Sequence, residues 1–335
     1  MAVKKNGKVI LPFVLAAALA AAALLAACVG VISIPLGSVA GSILHKMGFN
    51  FSIAEYHEIT LWQLRLPRIV MSVVGGASLA VCGGVFQSVF RNPVCDPYIL
   101  GVSSGASIGA AVAFVLGWDA FLFGITLPAL AAALLTLLLI YGIAEFRGRH
   151  STTTILLVGI AINFFISAII TLIMVVNQQE MHKIFFWTMG SLSNVSWSEV
   201  AFLTPAALIC TAILIYNSKA LNIIQAGEET AMMSGVDTRK TTMAVLAVSS
   251  VLTAVVVAFC GSIGFIGLIV PHIVRIVFGS DNRRVFGYSL FFGAAFLLAA
   301  DTLARTVAMP SELPVGSITA IAGSPYFIYL VLKKK

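Results

Sequence analysis

The feature that most constrains this chain is a series of long apolar runs separated by short stretches with charges, prolines or polar clusters. The hydrocarbon core of a bilayer is about 30 Å thick, and an α-helix needs about 20 apolar residues to cross it. Only 10% of the residues are charged, whereas a typical soluble domain carries about 25%. The sequence therefore predicts an integral membrane protein.

Ten apolar runs reach the length of a transmembrane helix, and the alternating segments typical of a transmembrane barrel do not occur in the sequence. Because backbone polar groups in lipid must be satisfied within each segment, we expect an all-α, polytopic membrane protein. We interpret residues 1–335 as one transmembrane domain. The predicted spans are 9–32, 66–88, 97–117, 120–144, 154–176, 198–216, 241–260, 263–279, 285–305 and 315–332.

The distribution of Lys and Arg predicts the orientation. With a cytoplasmic amino terminus, 15 of the 20 basic residues fall in cytoplasmic segments, which satisfies the positive-inside rule and places both termini in the cytoplasm. The net charge of +7 is spread over loops, so we expect no nucleic-acid partner. The basic residues predicted on the outer side are Lys46, Arg65, Arg68, Lys183 and Arg305.

The cysteines give little functional information. The letters LLAAC before and at Cys28 look like a lipoprotein-type cleavage site, which is one alternative for the amino-terminal segment. The apolar run from Val9 continues through Ile34, beyond the roughly 7–15 residues of the apolar region of a signal peptide, so we favour a first transmembrane helix.

The five cysteines are odd in number and lack CxxC spacing, so we expect no disulfide framework and no metal site.

Motifs for catalysis are absent from the sequence: it contains no HExxH, no paired-carboxylate constellation typical of an active site and no plausible nucleophile–base pair. It also lacks GxxxxGK[ST], so we expect no ATP bound through a Walker A loop and no cofactor in this chain. Transport is the remaining function. We predict no ionisable group near the bilayer middle, which disfavours the alternative of an ion-coupled secondary transporter of a small amphipathic solute. A membrane-embedded enzyme is the third alternative.

The stretch QAGEETAMMSGV, 225–236, interrupts the apolar runs on the predicted cytoplasmic side. Its two glutamates suit the start of a short helix, and Gly235 can end that helix. Between them, Ala231, Met232 and Met233 offer an adaptable apolar surface. This surface is either an amphipathic turn on lipid headgroups or a docking site for a cytoplasmic partner, and we favour the docking site.

Three arginines are predicted on the outer side, Arg65 and Arg68 in RLPR and Arg305. Guanidinium groups form bidentate contacts with carboxylates, so this cluster can receive an acidic partner, with lipid-headgroup anchoring as the alternative. We expect Glu312 to cap the last span or to pair with Arg305.

Three segments carry a resemblance: 65–110 (RLPRIVMSVVGG to SSGASIGA), 261–275 (GSIGFIGLIVPHIVR) and 301–331 (DTLARTVAMPSELPVG to PYFIYLV). Together they resemble the FecCD permeases, the ABC importer family for iron–siderophores, haem and cobalamin. The resemblance implies the type II ABC importer permease architecture in a bacterial or archaeal cytoplasmic membrane. It implies a homodimer that binds two cytoplasmic ATPase subunits, which hold ATP and Mg, and that receives cargo from an external binding protein. The cargo stays open, since oxyanion importers share this scaffold.

The resemblance also implies roles for individual residues. The family's ATPase-coupling helix falls on Gly227, Glu228, Glu229, Thr230, Ala231, Met232 and Gly235. The arginines that engage glutamates of the binding protein match Arg65, Arg68 and Arg305. The cytoplasmic gate falls on Val94, Thr152 and Thr153. The fifth span is expected to line the pathway with Asn163, which can alternatively hydrogen-bond a neighbouring helix.

Overall fold

The computed structural model describes residues 7–49, 54–146 and 152–333, and throughout these ranges the regular structure is helical. This confirms the all-α prediction. In chain order the α-helices are α1 (Gly7–Cys28), α2 (Leu36–Lys46), α3 (Glu55–Ile59), α4 (Leu66–Val89), α5 (Val102–Val115), α6 (Thr126–Phe146), α7 (Thr152–Val176), α8 (Met181–Thr188), α9 (Trp197–Tyr216), α10 (Ser218–Ala226), α11 (Glu228–Met233), α12 (Thr238–Cys260), α13 (Ile266–Phe278), α14 (Asn282–Ala304) and α15 (Val315–Lys333).

A helix occupies each of the ten predicted spans: α1, α4, α5, α6, α7, α9, α12, α13, α14 and α15. In the described part of the chain, seven helical stretches are long and apolar enough to cross a membrane. One of them, Glu55–Val89, is longer than predicted because a π-helical turn over Thr60–Arg65 joins α3 to α4 without a break. The second span therefore starts well before residue 66.

Helices α5 and α13 are shorter than their predicted spans, with 14 and 13 residues. Asp96 caps a short 3-10 turn over Pro97–Leu100, and Gly101 follows with a φ of +71°, so α5 starts only at residue 102. Similarly, Phe265 has a φ of +70° directly before α13. Positive φ interrupts helical geometry, which is why each predicted span is only partly α-helical.

Glycines determine how closely the central helix α4 packs. A Cβ atom on Gly76 would lie 2.3 Å from the Gly293 carbonyl oxygen on α14, and one on Gly83 would lie 1.8 Å from the Gly267 carbonyl oxygen on α13. Close backbone approach through small residues is typical of membrane helix packing. Helix α4 is therefore the core of the bundle, with α14 and α13 directly against it.

Helices α4 and α14 run antiparallel, since Arg68 near the start of α4 meets Asp301 near the end of α14, while Ser88 near the end of α4 meets Asn282 at the start of α14. Following the predicted orientation, we call the Arg68 end of the bundle the outer end and the Ser88 end the inner end.

Candidate functional site

The segment predicted to contact a cytoplasmic partner forms the short helix α11, which begins directly after Gly227. Gly227 has a φ of +139°, a conformation that favours glycine. At the other end, the Gly235 N–H donates to the Met232 carbonyl at 3.0 Å and the Val236 N–H donates to the Ala231 carbonyl at 2.9 Å. This pair of bonds is a Schellman motif, so Gly235 ends the helix as the sequence predicted.

Exposure along α11 divides the predicted apolar surface. Met232 and Met233 are 72% and 84% exposed, whereas Ala231 is completely buried. The prediction that all three form one exposed surface is wrong for Ala231, because its side chain faces the protein. Glu229 and Thr230 are exposed as well. The surface that a partner can contact is thus centred on the flexible side chains of Met232 and Met233.

Asp237 fixes the junction between α11 and α12. Its carboxylate accepts the Lys240 backbone N–H at 2.9 Å. This hydrogen bond is the main reason why the pKa of Asp237 lies below its ordinary value. The carboxylate is therefore charged at neutral pH and suits the N-terminus of α12.

The helix before α11, α10, is bonded to the bundle by half-buried and fully buried polar groups. Asn282 is completely buried, and its backbone N–H donates to Asn222 Oδ1 at 2.9 Å. The Asn282 side-chain amide donates to Gln225 Oε1 at 3.2 Å, and Ser88 Oγ donates to Asn282 Oδ1 at 2.7 Å. Arg275 Nη2 also donates to Ser88 Oγ. We call Ser88, Asn222, Gln225, Arg275 and Asn282 the Asn282 cluster.

The three predicted outer arginines lie near one another but are buried: Arg65, Arg68 and Arg305 are 6%, 7% and 6% exposed. Arg68 Nε donates to Asp301 Oδ1 at 2.8 Å, and Arg68 Nη1 donates to Glu312 Oε2 at 2.8 Å. We call Arg68, Asp301 and Glu312 the Arg68 cluster. Two of the three nitrogens of the Arg68 guanidinium are thus bonded to internal carboxylates.

Arg65 and Arg305 bind the carboxyl end of α1. Arg65 Nη1 donates to the Ala27 carbonyl at 2.6 Å, and its Nη2 donates to the Ile32 carbonyl. Arg305 Nη2 donates to the Ala26 carbonyl. Cations at a helix C-terminus satisfy its last carbonyls and interact favourably with the helix dipole. These two arginines therefore hold α1 against the bundle.

One of the two interpretations of Glu312 is wrong, because its carboxylate pairs with Arg68 and not with Arg305. Asp301, in the last turn of α14, is completely buried. Sequence reasoning did not find this buried carboxylate, which lies at the outer end of the bundle and not at its middle. The Asp301 carboxylate is bonded to Arg68, and its second oxygen lies 3.8 Å from Arg305 Nε. Burial is tolerated because two guanidinium groups compensate the charge.

The predicted gate residues lie in two places along the chain. Val94 is 41% exposed in the turn between α4 and α5. Thr152 and Thr153 begin α7, and Thr153 is exposed. The residues directly before them, 147–151, lie outside the described residues.

Asn163 on α7 lies at a cavity of about 440 Å³. Asn163 Oδ1 accepts from Ser104 Oγ at 2.6 Å, and its amide donates to the Ile99 carbonyl at 3.2 Å. The hydrogen-bonding alternative for Asn163 is thus confirmed, and its role in lining the transport pathway stays a prediction. Among the residues that the structure describes, the lining contains no charged side chain. Its polar members are Tyr98, Ser103, Ser104, Ser107, Asn163, Ser167, Thr188 and Ser262.

A sequence profile of the FecCD transport family matches residues 18–333, which include all three segments that carried the resemblance. The chain belongs to the FecCD transport family. The resemblance seen in the sequence is thereby confirmed.

This FecCD protein is similar to permeases of two organisms. It is 41% identical over 290 residues to the cobalamin import system permease protein BtuC of Halobacterium salinarum, with 87% of this chain and 78% of the relative covered. It is 36% identical over 281 residues to the hemin transport system permease protein HmuU of Yersinia pestis, with 82% of this chain and 84% of the relative covered. The FecCD protein is therefore an ABC importer permease that spans the membrane several times.

Solved structures give the same fold. An inward-facing ABC transporter described as of the metal-chelate type matches with a TM-score of 0.84 at 29% identity, covering 96% of this chain and 99% of that chain. This confirms the type II ABC importer permease architecture for the FecCD protein.

Sequence reasoning on the FecCD protein did not identify the Asn282 cluster or the role of Asp301. For Asp301 a local signal exists, because it stands four residues before Arg305 and such residues share one helix face. For the Asn282 cluster the signal is weak. Asn222 and Gln225 are three apart on α10, but their partners lie 60 and 57 residues further along the chain.

Proposed function

We propose that this permease moves an iron chelate, haem or a cobalamin across the cytoplasmic membrane by alternating access, driven by ATP hydrolysis on separate subunits. The observation that supports this most is the match to the FecCD transport family together with the similarity to cobalamin and hemin permeases. The two polar clusters support a membrane-crossing α4, since twenty residues separate Arg68 from Ser88, which corresponds to about 30 Å of helix. The clusters are thus one hydrocarbon thickness apart.

The exposed methionines of α11 support the ATPase contact. At the inner end, Met232 and Met233 are 72% and 84% exposed in the part of the chain that the structure describes. A short helix with flexible apolar side chains suits a groove on a partner protein. We therefore assign Gly227, Glu228, Glu229, Thr230, Met232 and Gly235 to the contact with the ATPase, while the buried Ala231 holds α11 against the protein. Two such subunits act on a homodimer.

An exposed apolar face supports the homodimer. On α7, Phe164 and Phe165 are 75% and 67% exposed, and Phe164 also lines the cavity with Asn163. A second copy placed on this face would close the cavity at the dimer axis. The gate residues Val94, Thr152 and Thr153 would then control the inner exit of the pathway.

The outer arginines are proposed to dock the external binding protein. Because Arg65, Arg68 and Arg305 are each more than nine-tenths buried, a carboxylate on the partner has to share them with their internal acceptors. Glu312 is the accessible member of the Arg68 cluster, with a side chain that is 38% exposed. Docking is therefore expected to begin by displacing the Glu312 carboxylate.

The cavity and the relatives support the cargo class. A lining of hydroxyls and one amide can hydrogen-bond the periphery of a large solute without binding it tightly through charge. The relatives named for cobalamin and hemin, and the structure of the metal-chelate type, suggest the same class of cargo for this chain.

The test is uptake into vesicles that contain the permease, its ATPase and its binding protein. Cyanocobalamin, haemin and a ferric siderophore serve as separate cargos, with and without ATP. ATP-dependent uptake of one of them supports the proposal. Uptake without the ATPase that is abolished by an uncoupler would instead support the ion-coupled transporter, for which Asp301 is the buried ionisable candidate.

A further inference from the structure

The Asn282 cluster joins four helices at the inner end of the bundle. In addition to the bonds already described, Gln225 Nε2 donates to the Ser88 carbonyl at 3.2 Å, and Asn222 Nδ2 donates to Asp281 Oδ1 at 2.8 Å. Both polar groups of the Asn222 side chain and both of the Gln225 side chain are therefore used. Helix α10 is bonded to the end of α4 and to the start of α14.

Arg275 brings α13 into the same cluster. Its Nη2 donates to Ser88 Oγ at 2.5 Å and to the Gly84 carbonyl at 3.2 Å. Buried polar networks with satisfied partners hold their members in one arrangement, and loss of one partner leaves others buried without a hydrogen bond. A displacement of α10 is therefore expected to move the inner ends of α4 and α14 with it.

The α4–α14 pair is a stiff connection across the membrane. At its middle, the Gly76 and Gly293 backbones approach so closely that a Cβ on Gly293 would lie 2.4 Å from the Gly76 carbonyl oxygen. At its outer end, Arg68 on α4 is bonded to Asp301 on α14. Packed interiors are dense and transmit displacement, so the two helices are expected to move together.

Gly227 joins α11 to α10, and α10 is bonded to the α4–α14 pair. The glycine links α10 directly to α11 without an intervening loop, and the buried Ala231 keeps α11 against the protein. A force on the exposed methionines is therefore carried into α10 and from there into the Asn282 cluster.

We infer that the α4–α14 pair transmits movement between the α10–α11 segment and the outer end of the bundle, and that the Asn282 cluster is where movement of α10 enters it. This rests on the proposed function, because it takes α11 as the ATPase contact. Asn222, Gln225 and Asn282 are then positioning residues for coupling, and none of them has to touch cargo or nucleotide.

Hydrogen–deuterium exchange on the permease–ATPase complex in nanodiscs tests this inference. The complex is compared before and after trapping with ATP and orthovanadate. In the wild type, residues 228–236 are expected to be protected by the ATPase, and exchange at residues 305–314 at the outer end is expected to change on trapping. In Asn222→Leu the inner protection persists, while the outer change falls about two- to thirtyfold.

A second variant and a matched control make the result specific. Gln225→Met removes the other α10 side chain of the cluster and is expected to behave like Asn222→Leu. Lys219→Met changes an exposed residue of the same helix outside the cluster and is expected to behave like the wild type.

The outcomes separate the inference from the proposed function. A wild type whose residues 228–236 gain no protection from the ATPase overturns the proposed function, and the inference with it. If the wild type is protected there, the inference alone is overturned by an absent outer change in the wild type, or by a full outer change in both cluster variants. Loss of inner protection in both variants also overturns it, because the cluster would then only shape the docking segment.

Discussion

Arg68 lies at the centre of a charge cluster near the outer end of the bundle. Its guanidinium bonds two carboxylates of very different exposure, since the Asp301 side chain is fully buried and the Glu312 side chain is 38% exposed. Removing one partner of a buried ion pair leaves a charge without compensation, whereas an exposed pair contributes little. The two carboxylates should therefore differ strongly in their effect on stability.

We predict that Asp301→Ala destabilises the folded permease by about 3–5 kcal/mol, because Arg68 and Arg305 lose their buried counter-charge. Glu312→Gln is the matched control and should cost at most about 1 kcal/mol. Thermal unfolding of the purified variants in detergent measures both. Similar melting temperatures for the two variants would contradict the assigned role of Asp301.

The pairing of Arg68 with Asp301 illustrates which part of the site the sequence could reveal. The arginines stood out because they lie on the side of the membrane that has few basic residues. Their burial could not be inferred, because Arg68 and Asp301 are 233 residues apart and meet only after α4 and α14 have packed. Local spacing reveals neighbours on one helix, and the contacts between distant helices depend on packing.

At the scale of single elements, α11 is short but well delimited. Gly227 precedes it, the Schellman motif with Gly235 ends it, and Ala231 fixes one side to the protein. This leaves the two exposed methionines in a defined position. Burying a methionine side chain in a groove of the partner contributes about 1.5–3 kcal/mol to the free energy of binding.

We predict that Met232→Ser combined with Met233→Ser weakens the affinity for the ATPase at least about tenfold, which corresponds to 1.4 kcal/mol. The control is Met181→Ser on α8, a methionine that is 47% exposed in a different part of the chain. Fluorescence titration of the labelled ATPase against permease nanodiscs measures the affinity. Equal dissociation constants for the double variant and the control would rule out α11 as the contact.

The helices themselves were largely visible in the sequence, because each apolar run of sufficient length had no other means of satisfying its backbone in lipid. The residues at which α5 and α13 begin were not visible in the sequence. Gly101 and Phe265 adopt positive φ, and the apolar residues around them in the sequence do not indicate it. Hydropathy indicates that a segment lies in the membrane, and it does not indicate where the helix begins.

At the scale of the whole molecule, the predicted orientation places α11 inside and α3 outside. The basic residues decide this, because cytoplasmic loops collect them. The glycine contacts between α4 and α14 and between α4 and α13 hold the two ends in a fixed relation. Because the helices pack into one bundle, the side of the membrane on which α3 lies also determines the side on which α11 lies.

We predict that a cysteine at position 56 reacts with a membrane-impermeant maleimide on intact cells, whereas a cysteine at position 230 reacts only after permeabilisation. Both positions are exposed in α3 and α11. The background is a variant with the native cysteines replaced, which serves as the unlabelled control. Labelling of both positions from the same side would be incompatible with the proposed arrangement of partners.

The attachment of α1 has a consequence for how the chain is made. The Arg305 guanidinium that bonds the Ala26 carbonyl is 279 residues further along the chain. The first helix is therefore synthesised long before Arg305, one of the two arginines that hold it against the bundle. Until Arg305 is synthesised, α1 can be held only by earlier residues such as Arg65, so we expect its full attachment to form late in biogenesis.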